Sequence, residues 1–455
     1  MKHLCIAVLF CLPAVATTRT ITTYGAACTG TTDDTAAVQS ALNATGANDT
    51  LQFNCVARLS STSSPSVYIS GIDGITIEGT SGGGFKLLGS GTSGVALQIS
   101  GCDNCIIRNL VIDGNAVDFI PLALFGGSGT TVTGNSLTNV GFCVAGIYTE
   151  DDTSNIYTRN TVDTTEIHLD GGGAYADGTR GIWIGNDGAP SSAAFISENN
   201  LINIGGTAIV FAGTNGQIRN NRGSALSYSG VKVVSFSGAT GTTYVESNHL
   251  SGVGSRYISG GEVYTDGKTG STETYVIRYN YVISDDESQR GVYVTGGTFQ
   301  GVIDNNVFVN TKEGGIVFVT ESADGVKIRN NVVDCTVAGT CDAGIALWGD
   351  TGRSYTNFTI KHNNLKNADE MGLYLQSNGG TIDNISVDYN IFSSNVNYGI
   401  QIQNISGTLT DVTISGNCFV GNGASLYDSR GIISPPSQSS ECHWKNTSHR
   451  QVAIF

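Results

Sequence analysis

Residues 276–283 read VIRYNYVI, 302–309 VIDNNVFV and 326–333 VKIRNNVV: a β-rich run ends in asparagine and a second short apolar run follows. The phrase returns as IKHNNL at 360–365, VDYNIF at 387–392 and TISGNCFV at 413–420. Upstream copies are IIRNLVI at 106–112, TVTGNSL at 131–137, ISENNLI at 196–202 and QIRNN at 217–221. Successive asparagines fall about 21 to 33 residues apart, with one wider gap near 160–200. Self-similarity at such a period means a repeat architecture in which each unit buries its apolar face only against its neighbours.

The alternation of Val326, Ile328 and Val332 suits short strands with one buried face. Asparagine tolerates the left-handed conformation and bonds to nearby backbone, so it is expected to turn the strand without glycine. Stacked coils place these side chains one above another, where each amide can bond to the next. Strands joined by an asparagine corner in units of about 25 residues describe a parallel β-helix. Leucine-rich repeats lack support because their leucine spacing is absent. Helical repeats fit worse, because glycine is abundant (61 residues) and helix formers are scarce.

A solenoid also accommodates 455 residues without a thicker core. Charged residues are 13% of the chain and the formal net charge is −15, so a nucleic-acid partner, which needs a basic stripe, is not expected. Residues 1–16 read as a secretory signal: Lys2 and His3, an apolar run from Leu4 to Leu12, then Ala14-Val15-Ala16. That run is too short to span a bilayer, and no membrane association is expected. Export favours disulfides, and short separations suggest Cys28 with Cys55, Cys335 with Cys341, and Cys418 with Cys442. Cys102, Cys105 and Cys143 are three, so their pairing stays open. Six Asn-x-Ser/Thr sequons, at Asn43, Asn48, Asn357, Asn384, Asn404 and Asn446, are glycan acceptors if the host glycosylates. Four segments are expected: the leader, a cap over 17–65, a β-helix over 66–420 and a C-terminal cap or tail over 421–455.

Residues 22–45, TTYGAACTGTTDDTAAVQSALNAT, carry the one convincing helix, amphipathic through Ala37, Val38, Ala41 and Leu42, with Asp33 and Asp34 at its start. A helix at one end of a solenoid suits a cap. The stretch YGA…TGTTDDTAAVQSAL resembles the opening of secreted pectate-lyase-like proteins, with Ala27-Cys28 in place of the usual Gly-Asp-Gly start. That resemblance implies an all-β, single-stranded right-handed parallel β-helix (solenoid) with a short N-terminal capping helix. It also implies a superfamily of polysaccharide lyases, glycoside hydrolases, uronan epimerases and phage depolymerases, and so gives the fold better than the reaction.

Coils from about 66 to 160 are short, and Asp113, Asp118, Asp151 and Asp152 read as solvated turn formers. The rhythm breaks at 163–190, which holds Glu166, His168, Asp170, Asp177, Arg180 and Asp187, and again at 252–273. A third polar loop, SDDESQR, follows at 284–290. Long loops over a rigid stack are where function concentrates. GGEVYTDG at 260–267 is similar to the GGAIYTDG segment of several β-helix carbohydrate enzymes. Glu262 and Tyr264 share strand parity, with Asp266 at the strand's end. These carboxylates suit sugar hydroxyls, calcium or acid–base chemistry, with a plain Thr-Asp-Gly turn as the alternative. Lys232 and Arg256, about one coil apart, resemble the lysine base and arginine of some β-helix lyases; two surface cations are the plainer account. His168 is a candidate base beside Glu166 and Asp170, or a solvated imidazole. Arg180 and Arg290 precede Gly-Ile-Trp and Gly-Val-Tyr in parallel fashion, so both suit acidic sugars or ion pairs with Asp177 and Asp286. Tyr257, Tyr264 and Trp183 offer stacking faces, and Asp285 joins the candidate polar contacts.

The chain lacks the Gly-His-Gly, Asn-Thr-Asp and Arg-Ile-Lys of polygalacturonases, the Trp-Ile-Asp-His of calcium pectate lyases and the Asp-Pro-His-Glu of alginate epimerases. The sequence therefore leads to a secreted, monomeric carbohydrate-active β-helix. The first expectation is β-elimination on a uronate-containing polysaccharide, by Lys232 and Arg256, with Glu262 and Asp266 on sugar or calcium. The second is a glycoside hydrolase using two carboxylates from among Asp266, Glu262, Asp285 and Asp170, and the third a binding or structural β-helix without turnover.

Overall fold

The computed structural model describes residues 16–89, 93–141, 144–164, 179–186, 188–253, 263–268, 270–284, 290–336, 341–431, 433 and 442. Its strands wind as a parallel β-solenoid of about 13 turns. Three faces repeat. The first begins with Val67–Ser70, Val95–Ser100 and Ile120–Ser128, each paired in parallel with the next. The second begins with Thr18–Thr20, Thr50–Phe53, Thr76–Gly79 and Ile106–Arg108. The third begins with Val56–Ser60, Gly84–Leu88 and Val111–Asp113 and runs on as a ladder of 14 strands. Long strands such as Met371–Asp388 and Tyr398–Ser415 run round the corner between the first two faces.

Period-2 alternation decides which side chains enter the coil. On the second face Tyr157, Ile196, Ile218, Val245, Ile277, Ile303 and Ile328 stack in register with at most 1% exposure, forming one continuous core along the axis. The outward positions of that face carry a charge ladder: Glu246 pairs with Arg219 at 3.0 Å and Arg278 at 2.5 Å, and Asp304 with Arg329 at 3.2 Å.

Between the second and third faces the corners are closed by Cys55, Gly83 and Leu110 in the first coils and by asparagine from Asn135 onward. Side-chain amides link Asn135 to Asn160, Asn199, Asn221, Asn248, Asn280, Asn306, Asn331, Asn363, Asn390 and Asn417 in turn, at 2.9–3.1 Å. A shorter ladder joins Asn395 to Asn422 at 2.8 Å. The left-handed residue is not the ladder asparagine, as the sequence suggested, but the residue before it: Arg159, Glu198, Asn220, Ser247, Tyr279, Asn305, Asn330, His362 and Tyr389 all have φ near +55°. The asparagine side chain turns inward, bonds two backbone groups of the preceding coil and donates to the asparagine side chain of the next, which leaves the preceding residue to make the bend.

The one α-helix among the described residues, α1 (Thr35–Ala44), buries Val38, Ala41 and Leu42 in the same core as the coils. Asp34 lies one residue before it and serves the cap rather than the helix: its carboxylate accepts from the amides of Ala27 (2.7 Å), Cys28 (3.3 Å) and Arg58 (3.1 Å). Disulfides join Cys28 to Cys55, Cys335 to Cys341 and Cys418 to Cys442, the pairings suggested by separation, and Cys102 to Cys105. Cys143 lies outside the described residues. Among those described, no helix is long and apolar enough to cross a membrane.

Two carboxyls sit inside the stack. Asp152, read from sequence as a solvated turn former, is 2% exposed, accepts from the Tyr157 hydroxyl at 3.2 Å and is pushed up to about 6, chiefly by burial. Glu273 is 1% exposed, accepts from the Thr243 hydroxyl and is pushed up to about 7 by burial. Glu273, Tyr275 and Ile277 share strand parity, which is the sequence signal that Glu273 faces inward.

Candidate functional site

The outer surface of the first face holds the densest group of candidate residues. Register there aligns Tyr148, Trp183, Val210, Lys232, Tyr264 and Tyr293 in one outward column. Two positions further along each strand, Ala212, Val234, Asp266 and Thr295 form the next. A groove of about 390 Å³ opens between the columns, walled by Arg180, Trp183, Asn186, Lys232 and Asp266. Val210, Ala212 and Val234 form its floor, 4%, 4% and 9% exposed despite pointing outward. Three candidates scattered through the sequence, Arg180, Lys232 and Asp266, thus share one groove. Parallel stacking unites them: each lies on a different strand, Arg180–Ile184, Val231–Val234 and Val263–Gly267.

The cations lie against rings. The Arg180 guanidinium stands 4.0 Å from the Trp183 ring centroid and Lys232 Nζ stands 4.8 Å from that of Tyr264, within the range of cation–π attraction. Lys232 and Asp266 are diagonal neighbours on one face, about 7–8 Å apart by sheet geometry. Gly296, with φ +76°, keeps the space beside Asp266 clear: a Cβ there would lie 2.7 Å from Asp266 Oδ1. Burial pushes the Tyr264 hydroxyl up to about 12, so it holds its proton in neutral solution. On the other flank Glu150 accepts from the Tyr148 hydroxyl and the Asn186 amide. Tyr148 is likewise pushed up to about 12, by burial and then by Glu150. Neither Glu150 nor Asn186 was marked by sequence; only strand register, which no local pattern reveals, brings them to the groove.

Arg290 lies four coils beyond the strand that carries Trp183 on the same face, its guanidinium 4.0 Å over Tyr293 and paired with Glu313. His168, Asp170, Arg256, Tyr257, Glu262, Asp285 and Asp286 lie outside the described residues, as does Asn446. Asn43 is on α1, Asn48, Asn357 and Asn384 sit at left-handed turns and Asn404 is in the strand Tyr398–Ser415. Among the described residues no three His, Cys, Asp or Glu side chains converge as a metal site would require, so Asp266 has no described companion for calcium.

A family model described as right handed beta helix region matches residues 180–365. No curated protein matches the chain in sequence. Among solved structures, the catalytic unit of a GH87 α-1,3-glucanase from Streptomyces thermodiastaticus aligns at 13% identity and TM-score 0.58, over 93% of this chain and 72% of its own. Gene product 12 of bacteriophage phi29 aligns at 13% identity and TM-score 0.55, over 92% and 58%. A mannuronic acid specific family 6 lyase from human gut microbiota aligns at 12% identity and TM-score 0.45, over 92% and 84%. Likeness at such identities is a likeness of fold.

Proposed function

We propose that this right-handed parallel β-helix binds an acidic extracellular polysaccharide along its first face and cleaves it by β-elimination. The observation that carries the proposal is the convergence of Arg180, Lys232 and Asp266 on one groove walled by Trp183 and floored by small apolar residues. Two cations beside a flat ring suit a uronate, whose carboxylate needs a counter-charge and whose ring needs a stacking face. The fold-level likeness to an α-1,3-glucanase supports a carbohydrate ligand as an analogy of scaffold. Four disulfides suit an oxidising, extracellular compartment.

In this scheme Lys232, as the free amine, removes the C5 proton of the uronate. The electron pair of that C–H bond becomes the C4–C5 double bond, the bond from C4 to the glycosidic oxygen breaks, and that oxygen takes up a proton as it leaves. Charge delocalises into the carboxylate as the proton departs, and a cation beside it lowers that barrier. With Lys232 as the base, Arg180 is the other described cation of the groove, and Arg256 is the sequence's candidate for the same duty. Tyr264, protonated and next to Lys232, is placed to donate rather than to abstract.

A second reading, glycoside hydrolysis, rests on Asp266 in the same groove. It needs a partner carboxylate about 5–9.5 Å away. Glu150, in the same outward column as Asp266, is four coils distant, about 19 Å, so the partner would come from Glu262, Asp285 or Asp170. Incubation with uronate and neutral polysaccharides separates the cases. Near-ultraviolet absorbance of an unsaturated uronate together with new reducing ends is expected. Lys232→Ala is expected to lower that rate by about 10²–10⁴-fold. Reducing ends without absorbance, lost in Asp266→Asn, would transfer the activity to the carboxylates. Absence of both products on a broad panel would leave a binding protein.

A further inference from the structure

The Arg180–Trp183 pair has a copy. Arg290 precedes Tyr293 by the same three residues, and its guanidinium lies at the same 4.0 Å from the ring centroid. Register carries Trp183 through Val210, Lys232 and Tyr264 to Tyr293, so the two rings occupy one outward column, each with an arginine over it. They stand four coils apart, about 19 Å at the spacing of parallel strands. Lys232 lies midway. The Tyr264 and Tyr293 rings touch, with centroids 5.5 Å apart, so the run of rings and cations continues past the groove.

Arg290 is built as an anion holder. It is 8% exposed, its Nε is buried without an acceptor among the described residues, and its terminal nitrogen pairs with Glu313. The Glu313 side chain, 29% exposed, covers that nitrogen from the solvent side of the pair. A planar guanidinium stacked on a tyrosine is oriented for a carboxylate before any ligand arrives.

We propose that Arg290 and Tyr293 form a second acidic-sugar subsite, which Glu313 fills until a ligand carboxylate displaces it. The preferred ligand is then an oligouronate long enough to reach both arginines. A pyranose in an extended chain is about as long as one strand spacing, so roughly five residues suffice. This inference rests on the acidic-polysaccharide reading of the groove.

The test is binding of oligogalacturonates and oligomannuronates, from dimer to octamer, by calorimetry on the Lys232→Ala protein. Affinity should step up between trimer and hexamer by about tenfold to a hundredfold, the range of a charge-assisted contact. Arg290→Gln should erase the step and leave trimer affinity unchanged, whereas Glu313→Gln should enlarge it. A step that survives Arg290→Gln, or an equal loss for trimer and hexamer, overturns the subsite while the groove stands. No binding of any oligouronate to the Lys232→Ala or the wild-type protein overturns the acidic-polysaccharide reading and the subsite with it.

Discussion

Asn306→Ala tests what the asparagine ladder contributes. Asn306 is fully buried in mid-stack; its amide donates to Asn331 Oδ1 and to the Ile277 carbonyl, each at 3.0 Å. Its Oδ1 accepts from the Asn280 backbone amide at 3.0 Å and from Asn280 Nδ2 at 2.9 Å. Alanine removes all four bonds at once. It leaves the Ile277 carbonyl and both Asn280 donors short of a partner where water does not reach. At about 1 kcal/mol per net hydrogen bond, rising where a buried group stays unsatisfied, the cost is about 4–6 kcal/mol. Asn417→Ala, at the last rung, removes three bonds, from Asn417 Nδ2 to Val387 and from Asn390 to Asn417 Oδ1, but the side chain there is only half-buried. Water can replace those partners, so the loss should be near 1–2 kcal/mol. Urea unfolding followed by circular dichroism, with hydrogen exchange to locate the weakened coils, measures both. Equal losses in the two variants, or less than about 1 kcal/mol for Asn306→Ala, would refute the view that buried amide pairing holds the corners.

Other outcomes follow from the same structure. Burial raises the pKa of Glu273 from 4.5 to about 7, so its contribution to stability is fully present below about pH 4.5 and is lost as pH rises through about 7. Glu273→Gln should flatten the pH dependence of the unfolding midpoint in that window; an unchanged profile would show that the group does not titrate there. Replacing Cys28 and Cys55 together by serine opens a loop with a sequence separation of 27 at the capped end. The expected loss is about 3 kcal/mol, and hydrogen exchange should place it near α1 rather than in the central coils.

The fold was legible because it is periodic. Asn280, Asn306 and Asn331 recur with flanking apolar runs, and no other architecture satisfies that rhythm in so glycine-rich a chain. The site was legible in part. Arg180, Lys232 and Asp266 stood out as sparse charges near breaks in the rhythm, and the groove unites them. Glu150 and Asn186 did not stand out, since nothing local marks a residue whose partner is a coil away. Asp152 was misjudged for a related reason: a residue beside a turn looks solvated until the coil above it is known. The identity of the left-handed residue escaped as well, because an Asn-Asn pair such as Asn305-Asn306 does not reveal which member bends and which bonds inward.

The stacked corners have a consequence for how such a protein can change. Positions along the axis are quantised, since any two outward residues in a column are separated by a whole number of coils. A point substitution can alter what a rung offers but not how far apart two rungs lie. That distance changes by loss or gain of a whole turn. Excising residues 200–221 would join Asn199 directly to Arg222, preserve a ladder asparagine at the junction and bring Arg180 one rung closer to Arg290. The span between two such rungs is thus a heritable property of coil count, open to duplication and deletion of segments while the side chains on each rung stay as they were.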